Sequence, residues 1–222
     1  MKRVLTIAAM LGITASAVGA APVYFDDFEG LSAVGGAGGV ESAQGYDGVN
    51  GIAGSFWRND TKSLATTLSL SGLAAHSLMT LEFDIAFIDS WDGAIGRIYG
   101  DDFFNIVVDG VTQLITTNFG GLGNELSDGV YGFFGFREKY DDEAYRLSTT
   151  FAHSGDTADI SFFANGKKWQ AGLDESWAID NLTVSTNADL SAVPLPGALP
   201  LMLGGLGLMA FGMGRRRKTA TA

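Results

Sequence analysis

The chain has 222 residues, no cysteine, and 25 acidic against 14 basic side chains, a formal net charge of −11. Six of the bases (Lys2, Arg3, Arg215, Arg216, Arg217 and Lys218) lie in the terminal segments, so the stretch between sets every acid against eight bases, a net of about −17. Such a charge repels nucleic acid and anionic lipid and favours divalent cations and neutral or cationic partners. The missing cysteine excludes disulfide support and thiol chemistry.

Met1-Lys2-Arg3, the apolar run Val4 to Val18 and the small residues Ala17 to Ala20 form the three parts of a secretory signal peptide over 1–20, cleaved after Ala20 or Ala21. The expected route is the Sec translocon. A single domain is predicted over 22–187, followed by a linker at 188–192.

Val23 to Gly30 reads as a first strand. The Gly- and Ala-rich passage Ser32 to Gly54 reads as a flexible surface loop; its Gly35 to Gly39 run lacks the Lys-Ser/Thr of a phosphate loop. Strands follow at Ser55 to Asn59 and Ser63 to Leu70. Over Leu78 to Ile88, period-two alternation sets Leu81, Phe83, Ile85 and Phe87 against Glu82, Asp84, Ala86 and Ile88. Asp109-Gly110 predicts a two-residue hairpin turn between Phe103–Val108 and Val111–Thr117. Tyr145–Phe151, Thr157–Ala164 and Trp177–Ser185 complete the strands, and Asp141 to Leu147 alone has some helical character. Short strands, Gly/Asn/Asp turns and abundant Phe and Thr predict an all-β antiparallel sandwich, jelly-roll or galactose-binding-like, with the first strand beside the last.

His76 and His153 read as isolated turn residues without zinc-ligand spacing. Glu82 and Asp84 share one face of a strand and read as the solvated face of an outer strand. A retaining glycosidase needs a second carboxylate about 5 Å from the first, and Phe87 and Ala86 stand where laminarinase-type hydrolases carry that acid. No enzyme activity is expected. Asp89-Ser90-Trp91-Asp92-Gly93 and Asp101-Asp102 supply the carboxylates and bendable backbone that a hard cation requires, and Asp26, Asp27 and Glu29 near the first strand with Asp174, Glu175 and Asp180 around the last form a second acidic group if the terminal strands meet. Asp89, Asp92, Asp101, Asp102, Asp27 and Asp180 are therefore the candidate calcium ligands, weighed against ordinary Asp-Gly turn chemistry. Among the aromatics, Trp91 lies in a loop among acids and is the one expected to be partly exposed and to touch a ligand such as a sugar.

From Val193 to Gly214 no residue is charged, and about 20 apolar residues span a hydrocarbon core of about 30 Å as a helix. Arg215, Arg216, Arg217 and Lys218 follow and fix the cytoplasmic end. With Val193-Pro194-Leu195-Pro196-Gly197 ahead of it, this transmembrane segment and its basic stop resemble the PEP-CTERM protein-sorting signal in its Val-Pro-Leu-Pro variant, over 193–218. Gly197 stands where that variant often has Ala. The resemblance implies processing by an exosortase and delivery, after an inner-membrane stage, to the cell surface or the exopolysaccharide matrix. Ser-Phe-Trp-Arg-Asn, Ile-Asp-Ser-Trp-Asp-Gly and Asp-Glu-Ser-Trp-Ala-Ile-Asp-Asn-Leu are similar to phrases of surface proteins with such tails, the last also to the closing strand of galactose-binding-like sandwiches. This implies a fold and a location but no reaction; the expected role is a non-enzymatic surface or matrix protein associated with exopolysaccharide, its acidic loops ordered by calcium, with a carbohydrate-binding module as the alternative and a glycan-active enzyme as a more distant one.

Overall fold

The computed structural model describes residues 21–92, 102–116, 129–136, 140–167 and 169–188. The signal peptide, the sorting segment and Asp101 lie outside them. All described residues belong to one unit, Met1–Ala188; the second unit, Asp189–Ala222, is likewise outside the described residues.

The strands are β1 (Ala21–Asp26), β2 (Gly35–Gly36), β3 (Gly39–Ser42), β4 (Ser55–Asn59), β5 (Thr66–Ser71), β6 (Leu78–Asp89), β7 (Asp102–Val108), β8 (Val111–Thr116), β9 (Val130–Gly132), β10 (Asp142–Ala152), β11 (Thr157–Gly166) and β12 (Glu175–Thr186). The described part of the chain is all-β. A seven-stranded sheet runs β3-β4-β12-β6-β10-β9, with β1 also paired to β12, and a five-stranded sheet runs β2-β5-β11-β7-β8; every pairing is antiparallel. The first strand does lie against the last: β1 pairs with Leu182–Thr186 of β12, and β4 pairs with Trp177–Ile179 of the same strand. Asp142–Ala152 is a strand rather than a helical turn, because Ala144, Tyr145 and Leu147 find buried places in the middle of the sheet.

Alternation along β6 places Met79, Leu81, Phe83, Ile85 and Phe87 in the core between the sheets. They meet Phe104, Ile106, Ile160 and Phe162 from the five-stranded sheet, with Phe83 edge-on to Phe162 at 5.9 Å and Phe104 edge-on to Trp177 at 4.9 Å.

β6 is a central strand, not an outer one. The opposite face of its last residues, Ala86 and Ile88, packs under Tyr46, Ile52 and Phe56, forming a second core with Ala43, Ala144 and Ala178. The Gly-rich passage is therefore not a free loop: Ala43, Tyr46 and Ile52 form a buried cover on this face, and Val34 joins the core between the sheets. Three small residues on the sheet, Ala86, Ala144 and Ala178, leave room for the cover, and Tyr46 fills it, packing on Phe134 and Phe56 at 5.2 and 5.8 Å.

The two histidines are not isolated. His76 Nε2 and His153 Nδ1 share a hydrogen bond of 2.7 Å with stacked rings, and His153 Nε2 lies 3.1 Å from Asp109 Oδ2. They tie the β5–β6 and β10–β11 connections to the β7–β8 turn.

Candidate functional site

The cover stops at Gly54, so the remaining outer face of the seven-stranded sheet is open. Register fixes what stands on it. Phe25 of β1, Thr183 of β12, Glu82 of β6 and Ser148 of β10 form one row; Asp180, Asp84 and Arg146 form the next towards the cover; Ser185, Thr80 and Thr150 form the next away from it. Thr80 and Thr150 are linked through their hydroxyls at 2.9 Å, and Arg146 reaches Glu82 at 3.7 Å. Phe25 is 58% exposed, at the β1 edge of these rows.

Where this face meets the cover there is a cleft of about 310 Å³, lined by Asp27, Glu29, Ala53, Gly54, Asp180 and Asn181. Its floor is a β-bulge in β12 between Asp180 and Thr183, with Asn181 at φ 51°. A bulge re-aims side chains that regular alternation would bury, here the Asn181 amide. Asn181 Nδ2 donates to the Gly51 carbonyl at 3.0 Å and to Asp84 Oδ2 at 2.8 Å. Asp180 accepts the Ala53 N–H at 3.1 Å and the Asn181 N–H at 2.7 Å, and Glu29 accepts the Ser55 N–H at 2.5 Å. Asp27 and Asp180 both line this cleft, but neither belongs to a group of three acids close enough to share a metal ion among the described residues.

Asp84 is buried directly opposite Asp180, and Gly51 passes so close that a Cβ there would lie 2.6 Å from Asp84 Oδ2. Glu82 is half-exposed, but Asp84 is thus sealed under the cover and not on a solvated face. Burial pushes the Asp84 carboxyl above its ordinary range, against the opposing pull of the Asn181 hydrogen bond. Burial likewise pushes Asp180 up to about 7; the Ala53 and Asn181 amides pull it down, and the nearby Asp84 and Glu29 charges raise it further.

The acids around Trp91 gather elsewhere. One carboxylate oxygen each from Asp92, Asp102 and Glu175 lies within 4.8 Å of the other two; no other such group of three occurs among the described residues. Asp92 N donates to Asp102 Oδ2 at 2.8 Å and Asp102 N to the Asp92 carbonyl at 3.0 Å, closing the ends of the β6–β7 connection on each other. Glu175, which is not among the six candidate ligands, starts β12 opposite Asp89. Asp89 is outside the trio; it sits at φ 65° with its N–H donated to Asp142 Oδ1 at 2.7 Å.

Trp91 is 2% exposed, contrary to its expected role as an exposed contact. Its indole N–H donates to the Ser176 carbonyl at 2.6 Å and its ring meets Phe87 at 4.5 Å and Trp169 at 4.9 Å, so the one polar atom is satisfied and the ring can be buried. Trp57, Trp169 and Trp177 are buried as well. Phe25, missed in the sequence, carried a signal: its neighbours Tyr24 and Asp26 alternate with it in a strand bound to an edge.

No family model matches the chain, and no curated protein does. Solved structures similar to it include the CBM22-1 xylan-binding domain from Paenibacillus barcinonensis Xyn10C, with a TM-score of 0.40 and 10% identity over 77% of this chain and 97% of that one. The EclA C-terminal domain, a sugar-binding protein, has a TM-score of 0.32 and 17% identity over 57% of this chain and 69% of that one. BtGH115A, a GH115 4-O-methyl-α-glucuronidase, has a TM-score of 0.37 and 17% identity over 82% of this chain, which spans 20% of that enzyme.

Proposed function

We propose that the chain is a non-enzymatic carbohydrate-binding β-sandwich, exported to the cell surface or its polysaccharide matrix, that holds a neutral or cationic glycan across the open outer face of its seven-stranded sheet. The observation that carries this is the exposed Phe25 ring set beside the acidic cleft and the rows of hydroxyl groups. A pyranose offers a flat C–H face and a rim of hydroxyls. An exposed aromatic ring takes the first, and fixed carboxylates, amides and hydroxyls take the second. Asp27 and Glu29 in the cleft oppose a uronic-acid polymer by charge.

The non-enzymatic part draws on Asp84, whose carboxyl is sealed beneath Gly51 and so held away from a glycosidic bond on this face. Export and exosortase processing draw on the terminal segments, with the Sec translocon and an exosortase as processing partners.

Affinity electrophoresis in gels containing xylan, mixed-linkage β-glucan, glucomannan or polygalacturonate tests the binding. Retardation is expected in at least one neutral gel and not in polygalacturonate, with Phe25→Ala and Asp27→Ala each weakening it about tenfold. Equal migration in every gel would remove the proposal.

A further inference from the structure

We infer that Asp92, Asp102 and Glu175 form a calcium site that joins the two sheets, independent of the glycan face. Asp92 follows the exit of β6 and Glu175 opens β12, both in the seven-stranded sheet, while Asp102 opens β7 in the five-stranded sheet. A cation bound by all three ties strands from both layers at one end of the sandwich.

The separation suits the ion. Calcium–oxygen bonds run 2.3 to 2.6 Å, so two ligands on one calcium stand at most about 5 Å apart, and the carboxylate oxygens of the trio lie within 4.8 Å of one another. Magnesium demands near-ideal octahedral geometry at about 2.1 Å and gives up its waters reluctantly, so it suits a site of three converging carboxylates less well. All three donors are carboxylate oxygens, which select hard cations over zinc or copper.

Convergence of acids alone is common, and the second observation concerns Glu175. Its side chain is 1% exposed, Oε2 accepts the Gln170 N–H at 2.6 Å, and no hydrogen bond from a described residue reaches the buried Oε1. A buried carboxylate oxygen with no donor is costly, and a cation removes that cost. The site is also held in shape before any ion arrives. The paired hydrogen bonds between Asp92 and Asp102 hold the Asp102 carboxylate and the Asp92 backbone together, and the indole of buried Trp91, donating to the Ser176 carbonyl, anchors the chain next to Asp92 beside the start of β12. The competing arrangement is a protonated Glu175 with no ion.

The full chain, stripped with chelator, is melted at pH 7.5 with calcium, with magnesium or with neither, and titrated with terbium while exciting tryptophan. A hundredfold excess of calcium over its Kd is expected to raise Tm by about 5–10 °C, magnesium by less. Terbium emission sensitised by Trp91 is expected to appear and to be displaced by calcium. Glu175→Gln and Asp92→Asn should each weaken terbium binding at least tenfold and remove most of the calcium response, while Asp27→Ala, on the glycan face, keeps both. Should Glu175→Gln fail to fold, Asp92→Asn, at a partly exposed position, decides. A calcium-independent Tm, or variants that retain the wild-type response, would overturn the site and assign Glu175 as a buried neutral acid.

Discussion

Asp84 and Asp180 stand opposite each other on adjacent strands, and the first consequence is a pH dependence with a definite sign. Both carboxyls are raised, Asp180 to about 7. A raised acid stays protonated in the fold while the unfolded chain ionises, so the native state binds more protons and stability falls as pH rises from about 4 to about 7, levelling above. Asp142, raised by burial, and Glu175, raised to about 7, add the same sign in metal-free protein. Asp84→Asn keeps an acceptor for Asn181 and removes the charge facing Asp180. It should flatten that decline and raise Tm at pH 8 by about 2–4 °C, roughly 1 kcal/mol; thermal melts across pH check this, and a lower Tm at pH 8 would contradict it. The row itself was half-legible. Alternation put Glu82 and Asp84 on one face, but the burial of Asp84 depends on Gly51, 33 positions earlier, and no local pattern carries that contact. Trp91 shows the same limit, since a carbonyl from β12 decides whether an indole in a loop can be buried.

At the scale of elements, the β3–β4 connection decides which part of the sheet is core and which is face. It closes backbone to backbone on the segment after β9: Gly45 has φ +72°, and a Cβ there would fall 1.2 Å from the Phe134 carbonyl oxygen. Gly45→Ala is therefore expected to lift the cover and cost about 2 kcal/mol or more. A urea midpoint equal to wild type, with unchanged dye binding by Tyr46 and its neighbours, would contradict this. The strands were largely legible from period-two alternation and from Asp109-Gly110. The cover was not, because its Gly and Ala content matches that of a linker. Its buried Ala43, Tyr46 and Ile52 are spaced irregularly, so neither strand nor helix periodicity marks them.

For the whole molecule, antiparallel strands, small turns and the meeting of first and last strand were all readable from composition and spacing, since they follow from local chemistry and the need to bury one face of each sheet. Which face stays open was not, because it follows from the cover. Beyond the sandwich, the proposed export makes a mass prediction: intact protein extracted from the cell surface should lack Arg215 to Ala222, and recovery of the full tail would contradict exosortase processing. The proposed ligand of the Phe25 face is a glycan. The most direct test is calorimetric titration of an oligosaccharide from whichever polysaccharide retards the chain, into wild type, Phe25→Ala and Ile115→Ala, the last at an exposed position of the five-stranded sheet. Kd is expected to rise about tenfold or more for Phe25→Ala and not at all for Ile115→Ala; equal affinity in wild type and Phe25→Ala, or loss confined to Ile115→Ala, would rule out glycan binding on this face.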